Sequence, residues 1–175
     1  SAGGTLGAVT LGKKLAKHLL REAETAQREL VNISELILGT KCGGSDAISG
    51  LTANPALGIA SDLLIGEGGT VILSEIPEML GAEHVLAKRA INGEVRKRIW
   101  EITQATEAGI KSMGVDVRGS EPSPGNITGG ITTLEEKSVG AILKGGSMPI
   151  VQVVKYAEKA SQKGFCLLYT SPSPR

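Results

Sequence analysis

The chain has 175 residues, of which 41% are hydrophobic and 21% charged, and its formal net charge is +1. This size and composition are typical of one globular domain. The low charge and an aromatic content of 2% argue against nucleic acid as a partner, because basic and stacking side chains are both scarce.

No apolar run approaches the roughly 20 residues needed to cross a bilayer, and no signal peptide is visible, so we expect no membrane partner. The two cysteines, Cys42 and Cys166, do not form a disulfide framework, which predicts free thiols and a cytoplasmic location. Since the chain begins "SAGGTLG" without methionine, we expect it to be a fragment or a processed segment.

Hydrophobic periodicity predicts helices alternating with short apolar strands. The predicted elements of the first part are, in chain order, a helix over 10–30, a buried strand over 33–39, a helix over 54–68, a strand buried on both faces over 70–76, and helices over 77–90 and 94–112. They are followed by a loop over 119–130, a helix over 131–146 with a capping box at Thr133 and Glu136, and a strand running into a short helix over 149–158. This alternation predicts an α/β fold with a mainly parallel, Rossmann-like sheet flanked by helices.

Two polar clusters follow predicted strands: "GTKCGGSDAISGLTANPALG" (39–58) and "SEIPEMLGAEH" (74–84). In open parallel sheets, ligands bind outside the carboxyl ends of the strands. Backbone N–H groups around Gly43, Gly44, Ser45 and Asp46 are suited to a carboxylate or phosphate. The alternative is a helix N-cap at Ser45 or Asp46. The spacing matches neither the P-loop nor the dinucleotide fingerprint.

Several side chains in and near these clusters are candidates for chemistry, each with an ordinary alternative. A lone cysteine such as Cys42 is often a small buried hydrophobic side chain. Its position in a turn that favours thiolate points instead to metal ligation or an anion-facing turn, and both remain open. Glu75, at a strand end, is the leading carboxylate for a base or metal ligand. The helix dipole is sufficient to explain an acidic residue at Glu78, near a predicted helix start. For His84, an ordinary surface histidine is an equally good interpretation. From the residues alone we expect a glycine-lined site for a small anion, with its chemistry open.

Three long runs carry a resemblance to a known family: "GTKCGGSDAISGLTANPALG", "GGTVILSEIPEMLGAEHVLAKRA" and "PSPGNITGGITTLEEKSVGAILKGGSMPI". They resemble, in order and over about residues 1–164, the C-terminal region of the altronate/galactarate dehydratases. The large subunit of sulfolactate sulfo-lyase is similar too. The resemblance implies a hydro-lyase that removes water from a sugar acid such as altronate or galactarate, giving a 2-keto-3-deoxy acid with the help of iron(II) or manganese(II).

The resemblance also implies roles for the candidate residues. Cys42 and Glu75, and then Glu78, are expected as metal ligands, and Asp46 and His84 as proton-transfer groups. The expected substrate contacts are Gly43, Gly44, Ser45, Thr52, Asn54, Asn126 and Lys137. For Asn126 a plain surface turn is the alternative, and for Lys137 the first turn of a capped helix.

The chain also departs from the family pattern. Members of the family commonly carry a small SAF-like domain upstream, fused or as a separate subunit, and the resemblance implies that this domain is missing here. Residues 165–175, "FCLLYTSPSPR", show no periodicity, and we expect them to be an aberrant tail that does not belong to the fold formed by residues 1–164. A partner-dependent subunit, inactive alone, and a sulfo-lyase subunit are the alternative functions, and homo-oligomerisation is a further expectation.

Overall fold

A computed structural model of the chain describes residues 3–155 and 158–168. The chain divides into two compact units, with the boundary between Val31 and Asn32. The first unit contains helix α1, Gly4–Glu24, which has no buried residues. It begins and ends earlier than the predicted helix over 10–30. The leucines at positions 11, 15 and 19 form the predicted apolar stripe and are exposed.

The second unit is built on a four-stranded parallel sheet with the strand order β1-β2-β4-β3. Its strands are β1 (Ile37–Thr40), β2 (Thr70–Leu73), β3 (Ile150–Val154) and β4 (Gly164–Leu168). Its helices are α2 (Ala47–Leu51), α3 (Ala53–Gly66), α4 (Glu83–Lys88), α5 (Gly93–Ser112), α6 (Val117–Ser120), α7 (Pro124–Thr128) and α8 (Leu134–Ile142), with 3₁₀ turns at Ile33–Glu35, Ile76–Met79 and Leu143–Gly145. The predicted α/β fold with a parallel sheet is confirmed.

The core forms around the two central strands. Val71 and Leu73 of β2, with Phe165 and Leu167 of β4, are buried in one hydrophobic cluster, against which α5 packs Ile99 and Ile102. The predicted burial of β2 is therefore confirmed. The predicted burial of the first strand is wrong, because β1 is an edge strand and Ile37 is 62% exposed.

Backbone breaks subdivide two predicted elements. The predicted helix over 77–90 becomes the 3₁₀ turn Ile76–Met79 and helix α4, separated at Gly81, whose φ is 94°. The predicted loop over 119–130 contains the short helix α7, capped by Ser123. Of the predicted capping box, Thr133 does accept a hydrogen bond from the Glu136 amide, but the Glu136 carboxylate binds Thr132 instead of Thr133.

The expected aberrant tail begins inside the sheet. Strand β4 runs from Gly164 to Leu168 and pairs with β2 on one side and β3 on the other. Residues Phe165, Cys166 and Leu167 are buried, so the structure places this part of the expected tail in the core. The remaining residues, 169–175, lie outside the described residues, as do positions 156–157 of the predicted last strand and helix.

One stretch, Ala47–Gly66, has the length and composition of a membrane-spanning helix. The stretch is divided at Thr52, where φ is −124° and ψ is −76°, into a helix of five residues and one of 14. Neither helix reaches the roughly 20 residues that span a bilayer. The exposed large apolar side chains of this stretch are Ile48, Leu51, Ile59 and Leu63.

Candidate functional site

The carboxyl ends of β1 and β2 lie side by side. Thr40 pairs with Leu73 in the parallel register. Beyond them, both the amide and the hydroxyl of Ser74 donate to the Thr40 carbonyl, at 3.1 and 2.9 Å. This pairing brings together residues 41–46, called here the cysteine loop, and residues 74–79, called the Glu75 segment. The two polar clusters therefore meet at the end of the sheet where the sequence places them.

Glu75 links the two segments. The Cys42 amide donates a 2.9 Å hydrogen bond to Oε2 of Glu75. The Lys41 ammonium lies 3.4 Å from Oε1 of the same carboxylate. Glu75 therefore binds the cysteine loop at two points, one of which is a backbone amide.

The backbone of Glu75 is strained. Its φ of 69° makes it the one non-glycine residue with positive φ in the described part of the chain. A side chain in this left-handed region costs of order 1–2 kcal/mol relative to the right-handed one. Such strain persists only where surrounding contacts hold it, and it concentrates at functional sites. The Glu75 carboxylate is therefore placed at an energetic cost that glycine would avoid.

Gly43 and Gly44 are exposed and surrounded by open space. A Cβ built on either residue would meet nothing within 4 Å, and neither has a positive φ. Neither crowding nor backbone conformation within this chain thus requires glycine at these positions. Without side chains, these two positions leave the backbone N–H groups of the turn open to close approach.

Cys42 and Asp46 make local contacts within the cysteine loop. Cys42 is half-buried, and its Sγ lies 3.2 Å from the Ser45 hydroxyl. Asp46 caps α2: its carboxylate accepts from the Ser49 amide at 2.8 Å and from the Ser49 hydroxyl at 2.5 Å. These bonds, the hydroxyl one first, lower the pKa of Asp46. The N-cap alternative is therefore correct for Asp46, and the same bonds make it a weaker base.

Asn126 positions the cysteine loop from the other side. Its Nδ2 donates to the Ser45 carbonyl at 3.0 Å, while its Oδ1 accepts from the Ser123 hydroxyl at 2.8 Å. Both ends of the amide are thus engaged by this chain. A second contact, from the Ala47 amide to the Gly129 carbonyl at 3.0 Å, fixes the same junction.

Lys137 lies between two carboxylates. Its side chain is 7% exposed, and its Nζ is 2.9 Å from Glu121 and 3.3 Å from Glu78. Burial lowers the pKa of Lys137, but the hydrogen bond that its Nζ donates to Glu121 and the charge of Glu78 outweigh burial, so the net direction is upward. Lys137 is therefore a fixed cation with two partners. Oε2 of Glu78 is buried without a hydrogen-bond partner among the described residues.

Sequence reasoning missed Glu121 as the partner of Lys137. Glu121 accepts from Lys137 Nζ and from the Ser123 amide, at 2.9 and 3.0 Å. It ends the short helix α6, in a stretch that composition marks only as a loop. No spacing signal connects it with the helix that carries Lys137.

A groove with a volume of about 280 Å³ lies between α2, α3 and α8. Four of the predicted site residues line it: Ser45, Asp46, Asn54 and Lys137. Asn54 already donates to the Gly140 carbonyl at 3.0 Å, which fastens α3 to α8. Thr52 is exposed outside this groove, and its hydroxyl bonds to the Ile48 carbonyl.

His84 does not join the other predicted residues. It is exposed in the first turn of α4. Within the described ranges no hydrogen bond or ion pair joins it to Cys42 or Asp46. In the structure His84 is therefore an ordinary surface histidine.

Comparison with known proteins decides the family. Residues 33–174 match the family model described as "D-galactarate/Altronate dehydratase, C-terminal". The chain belongs to the D-galactarate/altronate dehydratase family. It is 45% identical over 157 residues to an altronate dehydratase of Bacillus subtilis (strain 168), covering 90% of this chain and 31% of that relative. It is 42% identical over 160 residues to a galactarate dehydratase (L-threo-forming) of Escherichia coli (strain K12), covering 91% and 30%.

A third relative extends the range of named reactions. The chain is 42% identical over 132 residues to a (2R)-sulfolactate sulfo-lyase subunit beta of Chromohalobacter salexigens, covering 75% of this chain and 34% of that relative. The chain thus spans about a third of the length of each of these three relatives. The family model covers both the cysteine loop and the Glu75 segment.

The metal that the family resemblance implies does not fit the donors of this chain alone. Cys42 Sγ contacts Ser45, and the Glu75 carboxylate is engaged by the Cys42 amide and Lys41. Among the expected ligands, Glu78 carries a buried oxygen, Oε2, that has no hydrogen-bond partner among the described residues. Over residues 3–155 and 158–168, no three Cys, His, Asp or Glu side chains are grouped closely enough to hold a metal ion.

Proposed function

We propose that this chain is the part of a sugar-acid dehydratase that binds the substrate carboxylate on the cysteine loop. The observation that carries the proposal is the pair Gly43 and Gly44, open to solvent beside the strained Glu75. This arrangement lies at the carboxyl ends of two parallel strands, where ligands of such sheets bind. The family membership and the names of the relatives supply the substrate class, an aldonic or aldaric acid.

The proposed reaction removes water across two neighbouring carbons. A base takes the weakly acidic hydrogen next to the carboxylate, and negative charge develops on the carboxylate oxygens. The hydroxyl of the next carbon leaves with a proton as water, and the resulting enol becomes a 2-keto-3-deoxy acid. Such a reaction needs donors aimed at the oxygens that gain charge. In our proposal, the amides of Gly43 and Gly44 are those donors.

The contacts of this chain support distinct tasks for its side chains. Glu75 holds the Cys42 amide and so orients the adjoining glycine amides. Asn126 and Lys137, which we expected to contact substrate, are each engaged by this chain's own groups, and we propose that both position the loop and its neighbours. For proton transfer, Asp46 and His84 stay predictions. Asp46 is engaged as the N-cap of α2, and His84 is exposed away from the cysteine loop. Both are therefore less well supported as site residues than Glu75, whose carboxylate contacts the loop.

Iron(II) or manganese(II) stays part of the proposal as a group whose ligands come largely from outside the described residues. Glu78 is the residue of this chain best suited to contribute a metal ligand, since its Oε2 is buried and has no hydrogen-bond partner among the described residues. A SAF-like domain or subunit, a cytoplasmic location and homo-oligomerisation likewise stay predictions.

The second candidate is a sulfo-lyase subunit. The relative named (2R)-sulfolactate sulfo-lyase subunit beta favours it specifically. Sulfite would then leave in place of water, from a substrate that also carries a carboxylate. The same name includes the word subunit, which also favours a chain that acts together with a partner.

The test is a chimera in which residues 33–168 replace the corresponding region of the Bacillus subtilis altronate dehydratase. We expect a 2-keto-3-deoxy product from altronate or galactarate, assayed with and without added iron(II). Sulfite release from sulfolactate would select the second candidate. A folded chimera with neither activity would contradict the proposed function.

A further inference from the structure

Strand β1 lies at one edge of the sheet, with its outer side unpaired among the described residues. The carbonyls of Leu36 and Thr40 face inward and accept from amides at the start of β2 and just beyond its end, at 3.0 and 3.1 Å. Successive residues of a strand direct their backbone groups to opposite sides. Ile37 and Gly39 therefore direct theirs away from β2, so the outer edge offers two amides and two carbonyls.

The outer edge of β1 carries little that would prevent pairing. Exposed edges are usually protected by charged side chains, proline or bulges. The strand reads Ile-Leu-Gly-Thr, without charge or proline. Ile37 is 62% exposed, and a Cβ built on the exposed Gly39 would meet nothing within 4 Å. Another strand can therefore approach this edge closely.

The sequence around β1, "ELILGTK" (35–41), is self-complementary. Two copies of it can run antiparallel about a two-fold axis at the middle residue. Glu35 of each copy then faces Lys41 of the other, and the large side chain of Ile37 faces the open space at Gly39. Opposite charges and well-packed facing positions both stabilise cross-strand pairs. The next register in either direction separates Glu35 from Lys41 and sets Ile37 opposite a second bulky side chain.

The backbone of β1 favours the same register. In antiparallel pairs, facing residues alternate between those that exchange two hydrogen bonds and those that exchange none. With the axis at Leu38, Ile37 faces Gly39 on each side of the axis, and these are the residues whose backbone groups point outward. All outward groups of both copies are then used, whereas the two Leu38 residues occupy the non-hydrogen-bonded position. Side chains and backbone thus select one register.

We propose that two copies of this chain pair through the outer edges of β1, antiparallel and centred on Leu38, to form a continuous eight-stranded sheet. A two-fold axis makes the same surface serve both copies, as in most protein dimers. Glu35 already pairs with Lys163 at 2.8 Å, and Lys41 lies 3.4 Å from Glu75. In the dimer each Glu35 lies between two lysines, beside the cysteine loop of the other copy. The pairing does not depend on the proposed function.

The first test compares two isoleucines of matched exposure. Sedimentation equilibrium of this chain over a range of concentrations should show a monomer–dimer equilibrium. Ile37→Lys places on the edge the charge that protects natural edge strands, and should weaken association at least tenfold. Ile59→Lys, at an isoleucine that is 64% exposed on α3, is the control and should leave association unchanged. Because both side chains are exposed, the urea unfolding midpoint should not change in either variant.

The second test measures the register by cross-linking. Ile37→Cys and Gly39→Cys are prepared separately, then oxidised alone and as a mixture. Facing residues of a hydrogen-bonded pair have Cα atoms about 5.5 Å apart, within the range of a disulfide. Two cysteines at the same position lie diagonally, beyond that range. We expect a disulfide-linked dimer to form faster in the mixture than in either preparation alone. Cys42 and Cys166 are present in every sample, so their contribution is the same throughout.

Each outcome decides the proposal. A dimer that Ile37→Lys weakens and Ile59→Lys does not, with faster cross-linking in the mixture, supports it. A chain that stays monomeric at every concentration overturns it. A dimer that both lysine variants weaken equally, or that neither weakens, also overturns it, because association then uses another surface. Where Ile37→Lys lowers the unfolding midpoint, the cross-linking decides: a mixture that links no faster than the single preparations overturns the pairing.

Discussion

The amide of Cys42 donates a 2.9 Å hydrogen bond to Oε2 of Glu75, and this bond joins the segments that follow β1 and β2. Glu75 makes it from a left-handed backbone conformation that glycine would adopt without strain. Substitution can therefore separate the contribution of the Glu75 hydrogen bond from the cost of its backbone strain. The same residue therefore gives the first prediction.

Glu75→Gly and Glu75→Ala both remove the carboxylate, but glycine alone also relieves the strain. We expect Glu75→Gly to be more stable than Glu75→Ala by about 1 kcal/mol, the reverse of the usual order in an ordinary conformation. Urea unfolding of the two variants measures this difference. An alanine variant at least as stable as the glycine variant would show that position 75 is not strained.

At Asn126, substitution can separate the contact with Ser123 from the hydrogen bond to Ser45. Asn126→Asp keeps the oxygen that accepts from Ser123 and loses the N–H that donates to the Ser45 carbonyl. We expect a loss of about 1–3 kcal/mol in unfolding free energy, since the partly buried Ser45 carbonyl loses its donor. Asn92→Asp, at the N-cap of α5, is the matched control and should cost far less. Equal losses at both positions would mean that the bridge to Ser45 contributes nothing.

Removal of the Lys137 ammonium should leave two carboxylates facing each other without a counterion. We expect Lys137→Met to cost about 3–5 kcal/mol at neutral pH, as for other buried charges that lose a partner. Adding Glu121→Gln should restore part of the loss, because one of the stranded charges is removed. Lys97→Met, in an exposed pair with Glu101, should cost less than about 1 kcal/mol. No rescue by the second substitution would refute the paired arrangement.

The buried thiol of Cys166 predicts a pH dependence. Burial raises the pKa of Cys166 to about 11, from an ordinary value of 9.0. Since the raised pKa favours the neutral thiol in the folded state, its contribution to stability is complete below pH 9 and is lost as the pH rises towards 11. Urea unfolding at several pH values should show this loss, and Cys166→Ala should reduce it. An unchanged slope in Cys166→Ala would assign the loss to other groups.

The sequence predicted those features that depend on local pattern and on sheet topology. The apolar runs at β1 and β2 and the helices between them indicated a parallel sheet, and a parallel sheet brings the ends of neighbouring strands together. The sequence alone therefore predicts that Cys42 and Glu75 lie at one edge of the sheet. No residue pattern indicated their hydrogen bond or the positive φ of Glu75.

Other features depend on contacts between distant segments and could not be predicted. The burial of a strand depends on its neighbours, so the apolar residues of β1 gave no sign that it would be an edge strand. Lys137 gained its role from Glu78 and Glu121, which lie on two other elements. For Asp46 the pattern allowed a cap or a ligand, and for Asn126 a surface turn or a ligand. The structure shows that both side chains are bonded to groups of this chain.

Nuclear magnetic resonance of the backbone amides tests the central claim most directly. In a titration of the ¹⁵N-labelled chain with galactarate or altronate, we predict saturable shifts of the Gly43 and Gly44 amides. Gly109, on α5 with open space around it, should not move, and sodium chloride at equal ionic strength should not reproduce the shifts. Unchanged Gly43 and Gly44 signals at saturating sugar acid would contradict the assignment of the cysteine loop as the carboxylate site.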